Sequence, residues 1–361
     1  MKSKHIVAIA FGAVSATTAL CQGPASAPAP RSGPGIQAPQ DAREPDLLKT
    51  CKVPPTPVGG GRGPGATPGP GAAPQGVPRN YKVEEIPGVI AAGQQWKQVW
   101  QTEGNNADGM IGTKDGGLLI AQNDKSDVLK LDKNGKASIA YSDTNTGGAL
   151  SMNTKGVLFL VSRGLNEAIV ELEPKRKIFA SRYQGDPLDC IGGALNDLTA
   201  DTKGGVYFTL GGLFYADPQG VISKYGDNLR TNGITLSPDE QTLYVTNGGT
   251  LVAFDVQEDG SLANQRDFAK LEAGGNGDGS AIDSDGRIYV SSNPGVQVIG
   301  PDGKYLGLIP TPRGINSLAF SGPDKKTLYA VALIREGNPA AIRDELYEVQ
   351  MIAHGYKGRA K

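Results

Sequence analysis

The chain has 361 residues, and its 36 basic and 37 acidic side chains leave a net charge of -1, scattered along the sequence rather than gathered on one face. That distribution argues against nucleic acid as a partner, since phosphate binding needs a concentrated basic surface. Gly at 51 and Pro at 25 both exceed ordinary usage, which points away from a helical protein and toward a turn-rich, all-β architecture.

In chain order, Lys2, Lys4 and His5 precede an apolar stretch from Ile6 to Leu20, the pattern of a secretory signal over residues 1–21. The stretch falls short of the roughly 20 residues that span a bilayer, and no later one is apolar for long enough. The expectation is export, to the periplasm or outside the cell, with no transmembrane segment. Cys21 either leaves with the signal or carries a lipid, and Leu20 before it favours cleavage. Cys51 and Cys190 then remain, as a disulfide or as two free thiols. Residues 22–80 hold 14 Pro and 11 Gly and read as a disordered linker. Within it a short island, Asp46 to Val58, carries Leu47, Leu48, Cys51 and Val53 and is a candidate to dock on the folded part.

From Tyr81 the chain repeats. Apolar strands start at Leu118, Val157, Val206, Leu243, Ile288 and Leu328, most of them just after a turn rich in Asp, Asn, Lys and Gly such as Lys114-Asp-Gly-Gly or Asp283-Ser-Asp-Gly. Each is followed by a second strand and often another turn, as hairpins require. Six units of about 40 to 45 residues match propeller blades in size. The sequence therefore predicts a six-bladed β-propeller over 81–350, with Tyr81 to Gln101 adding a strand to the last blade, and a C-terminal tail over 351–361. A β-sandwich also spaces short strands evenly, but six similar units do not suit it.

Histidine is confined to His5 and His354, which removes Ser-His-Asp hydrolysis, His-rich zinc sites and haem ligation. The three cysteines lie too far apart for a zinc ribbon or a redox pair. What remains is carboxylate, amide, hydroxyl and a hard cation. Asn196 and Asp278 lie ten residues before their repeated strands and Asn232 eleven before its own, so the three line one rim of the central channel. Glu103, fifteen before Leu118, is a longer side chain on a longer approach. Asn and Asp ahead of strands are also ordinary turn residues; here they recur at matching places. Two carboxylates and two amides suit calcium, with zinc, magnesium and manganese as alternatives.

Thr102-Glu103-Gly104, Leu195-Asn196-Asp197, Thr231-Asn232-Gly233-Ile234, Asn276-Gly-Asp278-Gly and Asn316-Ser-Leu-Ala-Phe resemble, in order and spacing, the gluconolactonase/regucalcin family of six-bladed calcium propellers. The resemblance covers about 94–349 and is most specific from Asn232 to Tyr244. It implies one divalent cation held by Glu103, Asn232 and Asp278, with Asn196 touching metal or substrate. It also implies a small-molecule lactone or ester as substrate, with Asn105 and Asn196 against it and Asp278 as general base or nucleophile. Two departures bear on the substrate: Asn105 stands where the family has Pro, and Ala194 where many lactonases have Arg. The loop Gln184 to Cys190, in the longest repeat interval, is placed to select substrate. An arylesterase or phosphotriesterase on the same scaffold, or a secreted ligand-binding propeller, are the competing expectations.

Overall fold

The computed structural model describes residues 41–53, 55, 78–336 and 341–361. The signal over 1–21, Cys21 and the linker apart from 41–53, 55 and 78–80 lie outside the described residues.

Six four-stranded antiparallel sheets follow one another along the chain. Blade 1 is Ala107–Gly112, Leu118–Gln122, Asp127–Leu131 and Ala137–Tyr141; blade 2 is Gly147–Met152, Leu158–Ser162, Ala168–Glu173 and Lys177–Ala180. Blade 3 is Leu195–Ala200, Val206–Leu210, Leu213–Ala216 and Ile222–Tyr225; blade 4 is Thr231–Leu236, Thr242–Asn247, Thr250–Val256 and Leu262–Lys270. Blade 5 is Ser280–Ile282, Ile288–Ser292, Gly295–Ile299 and Tyr305–Pro310. Blade 6 is Ser317–Ser321, Thr327–Glu336 and Ala341–Gln350, and its outermost strand, Lys97–Glu103, comes from the start of the domain. Pairing the first strand with the last closes the ring and leaves no sheet interrupted at the seam.

The second strand of each blade is the one the repeat made visible. Leu118–Gln122, Val206–Leu210 and Ile288–Ser292 are buried at every residue, because both faces of a blade pack on its neighbours. Such strands read as continuous apolar runs rather than alternating ones. The outer strand Ala137–Tyr141 is exposed over its first four residues. Between blades 6 and 1, Met110 and Ile120 pack with Ala319, Val331 and Leu346; full burial of one such side chain contributes about 1.5–3 kcal/mol.

Two segments flanking the blades pack on the ring, and the first does so as its candidate docking role implied. The island ahead of the domain is ordered: a five-residue helix, Glu44–Leu48, leads to Cys51, which is disulfide-bonded to Cys190. Its partner loop is a small hairpin, Arg182–Tyr183 with Asp186–Pro187, followed by the turn Leu188–Cys190. Tyr183 packs edge-on against Phe214 of blade 3 at 5.6 Å. The tail over 351–361 is not a trailing end either. Gly355 bridges Asp283, Ala360 bridges Met152, and the buried Arg359 donates to Leu236 O at 2.6 Å. All three partners lie at or just past the far ends of inner strands, so the tail crosses one end of the channel.

Candidate active site at the channel mouth

Four of the six inner strands begin with a bulge. The register slips between Ala107 and Met110, Gly147 and Ala149, Leu195 and Leu198, and Thr231 and Ile234. An extra residue on one strand of an antiparallel pair re-aims a side chain out of the pleat. The bulges contain Asp108, Gly148, Asn196 and Asn232. In blades 5 and 6 the same place is taken by Asp278, whose N–H donates to Ser291 O at 2.9 Å, and Asn316, whose N–H donates to Val331 O at 3.1 Å. Six equivalent positions thus ring the mouth opposite the tail, and five of them carry oxygen-bearing side chains.

Asn232 donates a side-chain hydrogen bond to Asp278, which leaves its buried Oδ1 without a protein partner. Asn316 donates through Nδ2 to Ala107 O at 3.1 Å, and its Oδ1 is likewise buried and unpartnered. Asp108 Oδ2 is paired with Arg163 Nη1 at 2.6 Å. One residue below Asn196, Asp197 accepts from Ile234 N at 3.1 Å and Leu198 N at 2.9 Å. It also accepts from the amine of Lys361, which the tail brings into the channel.

Burial pushes the Asp278 carboxyl well above the usual range, the charges of Asp108 and Asp197 push it the same way, and Arg163 and the Asn232 hydrogen bond oppose them. Asp108 is raised chiefly by burial, against the pull of Arg163. Burial lowers Lys361, partly offset by Asp197. Three carboxylates share one channel with two fixed cations, an arrangement that favours uptake of further positive charge.

Of the residues singled out from sequence, Asn196, Asn232 and Asp278 stand together at this mouth. Glu103 does not. It is exposed near the end of the outermost strand of blade 6, opposite Arg343 and three strands away from the inner strand of that sheet. The blade 1 position belongs to Asp108, which lies ten residues before Leu118, the spacing of Asn196 and Asp278; applying that spacing strictly finds it. Asn105 is fully buried between blades 1 and 6, where Nδ2 donates to Gln122 Oε1 at 2.9 Å and Asp344 Oδ2 at 3.2 Å. Its Oδ1 accepts from Lys125 N at 3.3 Å, so its amide serves the blade seam rather than a ligand. Asp344, pushed up to about 8 by burial, also accepts from Ala107 N at 2.7 Å there. Asn316 shares the spacing logic less closely. Arg163 and Lys361 reach the channel through long side chains and a folded-back tail, for which sequence spacing holds no signal.

A model of the SMP-30/gluconolactonase/LRE-like region matches residues 145–333, more than half of the chain. The chain belongs to this family. Among relatives of the SMP-30/gluconolactonase/LRE-like propeller is a gluconolactonase of Zymomonas mobilis, 24% identical over 269 residues, a match covering 61% of this chain and 71% of that protein. Among solved structures, a gluconolactonase from Xanthomonas campestris superposes with a TM-score of 0.61 at 22% identity, covering 78% of this chain and 98% of that one. A calcium-binding protein, regucalcin, from Agrobacterium tumefaciens does so with a TM-score of 0.58 at 18% identity, covering 71% and 95%. At these identities the superpositions speak for the fold.

Proposed function

We propose that this propeller is a metal-dependent lactonase of the gluconolactonase kind, exported from the cell, with one divalent cation, calcium, at the channel mouth. The observation that carries the reading is the convergence of Asp278 and Asp108 with two buried amide oxygens, Asn232 Oδ1 and Asn316 Oδ1, that no protein group satisfies. Buried acceptors left unpaired in this way cost stability unless something binds them. Among the described residues no group of three His, Cys, Asp or Glu side chains is arranged to hold a metal by itself; the donors are mixed carboxylate and amide oxygens, the set calcium accepts readily. Asp108 Oδ1, Asn232, Asp278 and Asn316 are the residues that would hold it, with Asn196 beside them on the rim. The names of the relatives, gluconolactonase and calcium-binding regucalcin, support the same reading.

When bound, such a cation polarises a lactone carbonyl and offsets the charge that builds on its oxygen. Asp278 is the group of the chain placed to move a proton. As general base it takes one from water as the water oxygen bonds to the carbonyl carbon; the ring C–O bond then breaks and the alkoxide takes the proton back. Direct attack by the carboxylate, followed by hydrolysis of the acyl-enzyme, uses the same residue. Arg163, Asn232 and the blade backbones fix the surroundings.

Export is supported by the signal pattern over 1–21 and by the Cys51–Cys190 bridge, which persists in oxidising compartments.

The decisive experiment is hydrolysis of aldonolactones, aliphatic lactones and aryl esters by the purified protein, with calcium, after chelation and after calcium is restored. Turnover is expected to vanish with chelator and return with calcium. Loss of calcium without loss of turnover would remove the cation from the reaction. Calcium binding with no turnover on any substrate would favour a ligand-binding propeller, a reading supported by the ion pairs that already neutralise Asp108 and Asp197. In the same assay Glu103→Gln is expected to stay within about twofold of wild type in kcat and calcium affinity, because its side chain faces solvent on an outer strand; a tenfold loss would return Glu103 to the site.

A further inference from the structure

Five of the six equivalent positions at the mouth carry an oxygen-bearing side chain, and the sixth is Gly148. The reason is spatial. A Cβ on Gly148 would stand 2.0 Å from Cζ and Nε of Arg163, and Gly148 has no positive φ that would itself call for glycine. Arg163, one residue past the second strand of blade 2, passes through the space left by the missing side chain. Its side chain is only 10% exposed. From blade 2 its guanidinium bridges the two neighbouring blades: Nη1 donates to Asp108 Oδ2 at 2.6 Å and Asn123 Oδ1 at 3.0 Å in blade 1, Nε to Leu195 O at 2.7 Å and Nη2 to Asn196 O at 2.5 Å in blade 3.

We infer that Arg163, seated over Gly148, is the positioning residue of the channel mouth, holding Asp108 by one oxygen and fixing the aim of the blade 1 and blade 3 bulges. The inference rests on the cation site proposed above and goes beyond it. A planar five-donor fork meets these four acceptors in fixed geometry, which a lysine does not reproduce. Its charge has a second effect, because a guanidinium beside Asp108 repels any cation that shares that carboxylate. Arg163 therefore trades cation affinity for orientation.

The test compares wild type, Arg163→Met, Arg163→Lys, Gly148→Ala and the Arg163→Met/Gly148→Ala double variant, each freed of metal by chelation. Calcium binding is followed by titration calorimetry, thermal melting in chelator, and kcat and KM on the best lactone. Arg163→Met is expected to bind calcium at least threefold more tightly while kcat falls at least tenfold, with KM moving less. Arg163→Lys keeps near wild-type calcium affinity but not kcat. Gly148→Ala, which pushes the guanidinium aside, mimics Arg163→Met, and the double variant is no worse than the poorer single one, in melting as in calcium binding. Calcium affinity, kcat and melting temperature all falling together in Arg163→Met would reduce Arg163 to a scaffold residue and overturn the inference. Additive effects of the two substitutions would do the same. If wild type turns over no lactone, the calorimetry and melting cycle still decide the role of Arg163, and only the lactonase reading is lost.

Discussion

Asp278→Asn is expected to give a folded protein whose lactone turnover has fallen by about 10²–10⁴-fold, the range for loss of a general base. The substitution keeps size and shape and removes only the charge and its basicity. The same change should raise the melting temperature of the chelated protein. The folded carboxyl is raised by burial and by Asp108 and Asp197. A carboxyl with a raised folded pKa costs nothing below its unfolded pKa, and the cost grows as pH rises from there toward the folded value and is present in full above it. At neutral pH the Asn variant is spared that cost. With calcium added the order should reverse, because wild type gains a ligand that stabilises only the folded state. Activity and cation-free stability moving in opposite directions is the signature of a functional group held at a cost. An Asp278→Asn protein that keeps full turnover would take Asp278 out of the reaction altogether.

How much of this was legible in the sequence depended on backbone periodicity. The six second strands are buried on both faces, so they recur as apolar runs, and the observed starts at Leu118, Leu158, Val206, Thr242, Ile288 and Thr327 fall within one residue of those read from sequence. Asn196, Asn232 and Asp278 were legible for the same reason: the entry to each inner strand holds a nearly constant offset from the strand that follows. Glu103 lies fifteen residues before Leu118, where a longer side chain on a longer approach and the short Thr102-Glu103-Gly104 resemblance both point to the axis, whereas Asp108 keeps the ten-residue offset. The structure favours the strict offset for a physical reason, since residues 97–103 belong to the closing strand of blade 6 and the chain crosses to blade 1 only after Gly104. Arg163, Lys361 and the tail were illegible because their places depend on side-chain reach and chain return across the ring, and no local period encodes either.

Cys51→Ser carries the other large expected effect. The bridge spans a sequence separation of 139 residues, and the chain-entropy relation for a loop of that size gives about 5 kcal/mol as a ceiling, with about 2–4 kcal/mol typical of measured losses. For a domain of this size that corresponds to a melting temperature lower by roughly 4–8 °C. Local loosening should accompany it. Apart from the disulfide, the docked segment is held by surface bonds such as Lys52 Nζ to Gln184 O at 2.6 Å and Lys52 N to Asp186 Oδ2 at 3.3 Å, and exposed contacts of this kind contribute little. Trypsin should therefore cut after Lys49 or Lys52 in the Ser variant, or in wild type under reductant, far faster than in the oxidised protein. The consequence reaches the channel through the backbone, since Cys190 ends the turn that leads, six residues on, to Asn196 and the bulge that Arg163 grips. A freed Cys190 turn should raise KM for the lactone more than it lowers kcat, because it loosens the rim without touching Asp278. Equal melting temperatures and equal trypsin resistance in the oxidised and reduced proteins would mean that the blades hold the island unaided.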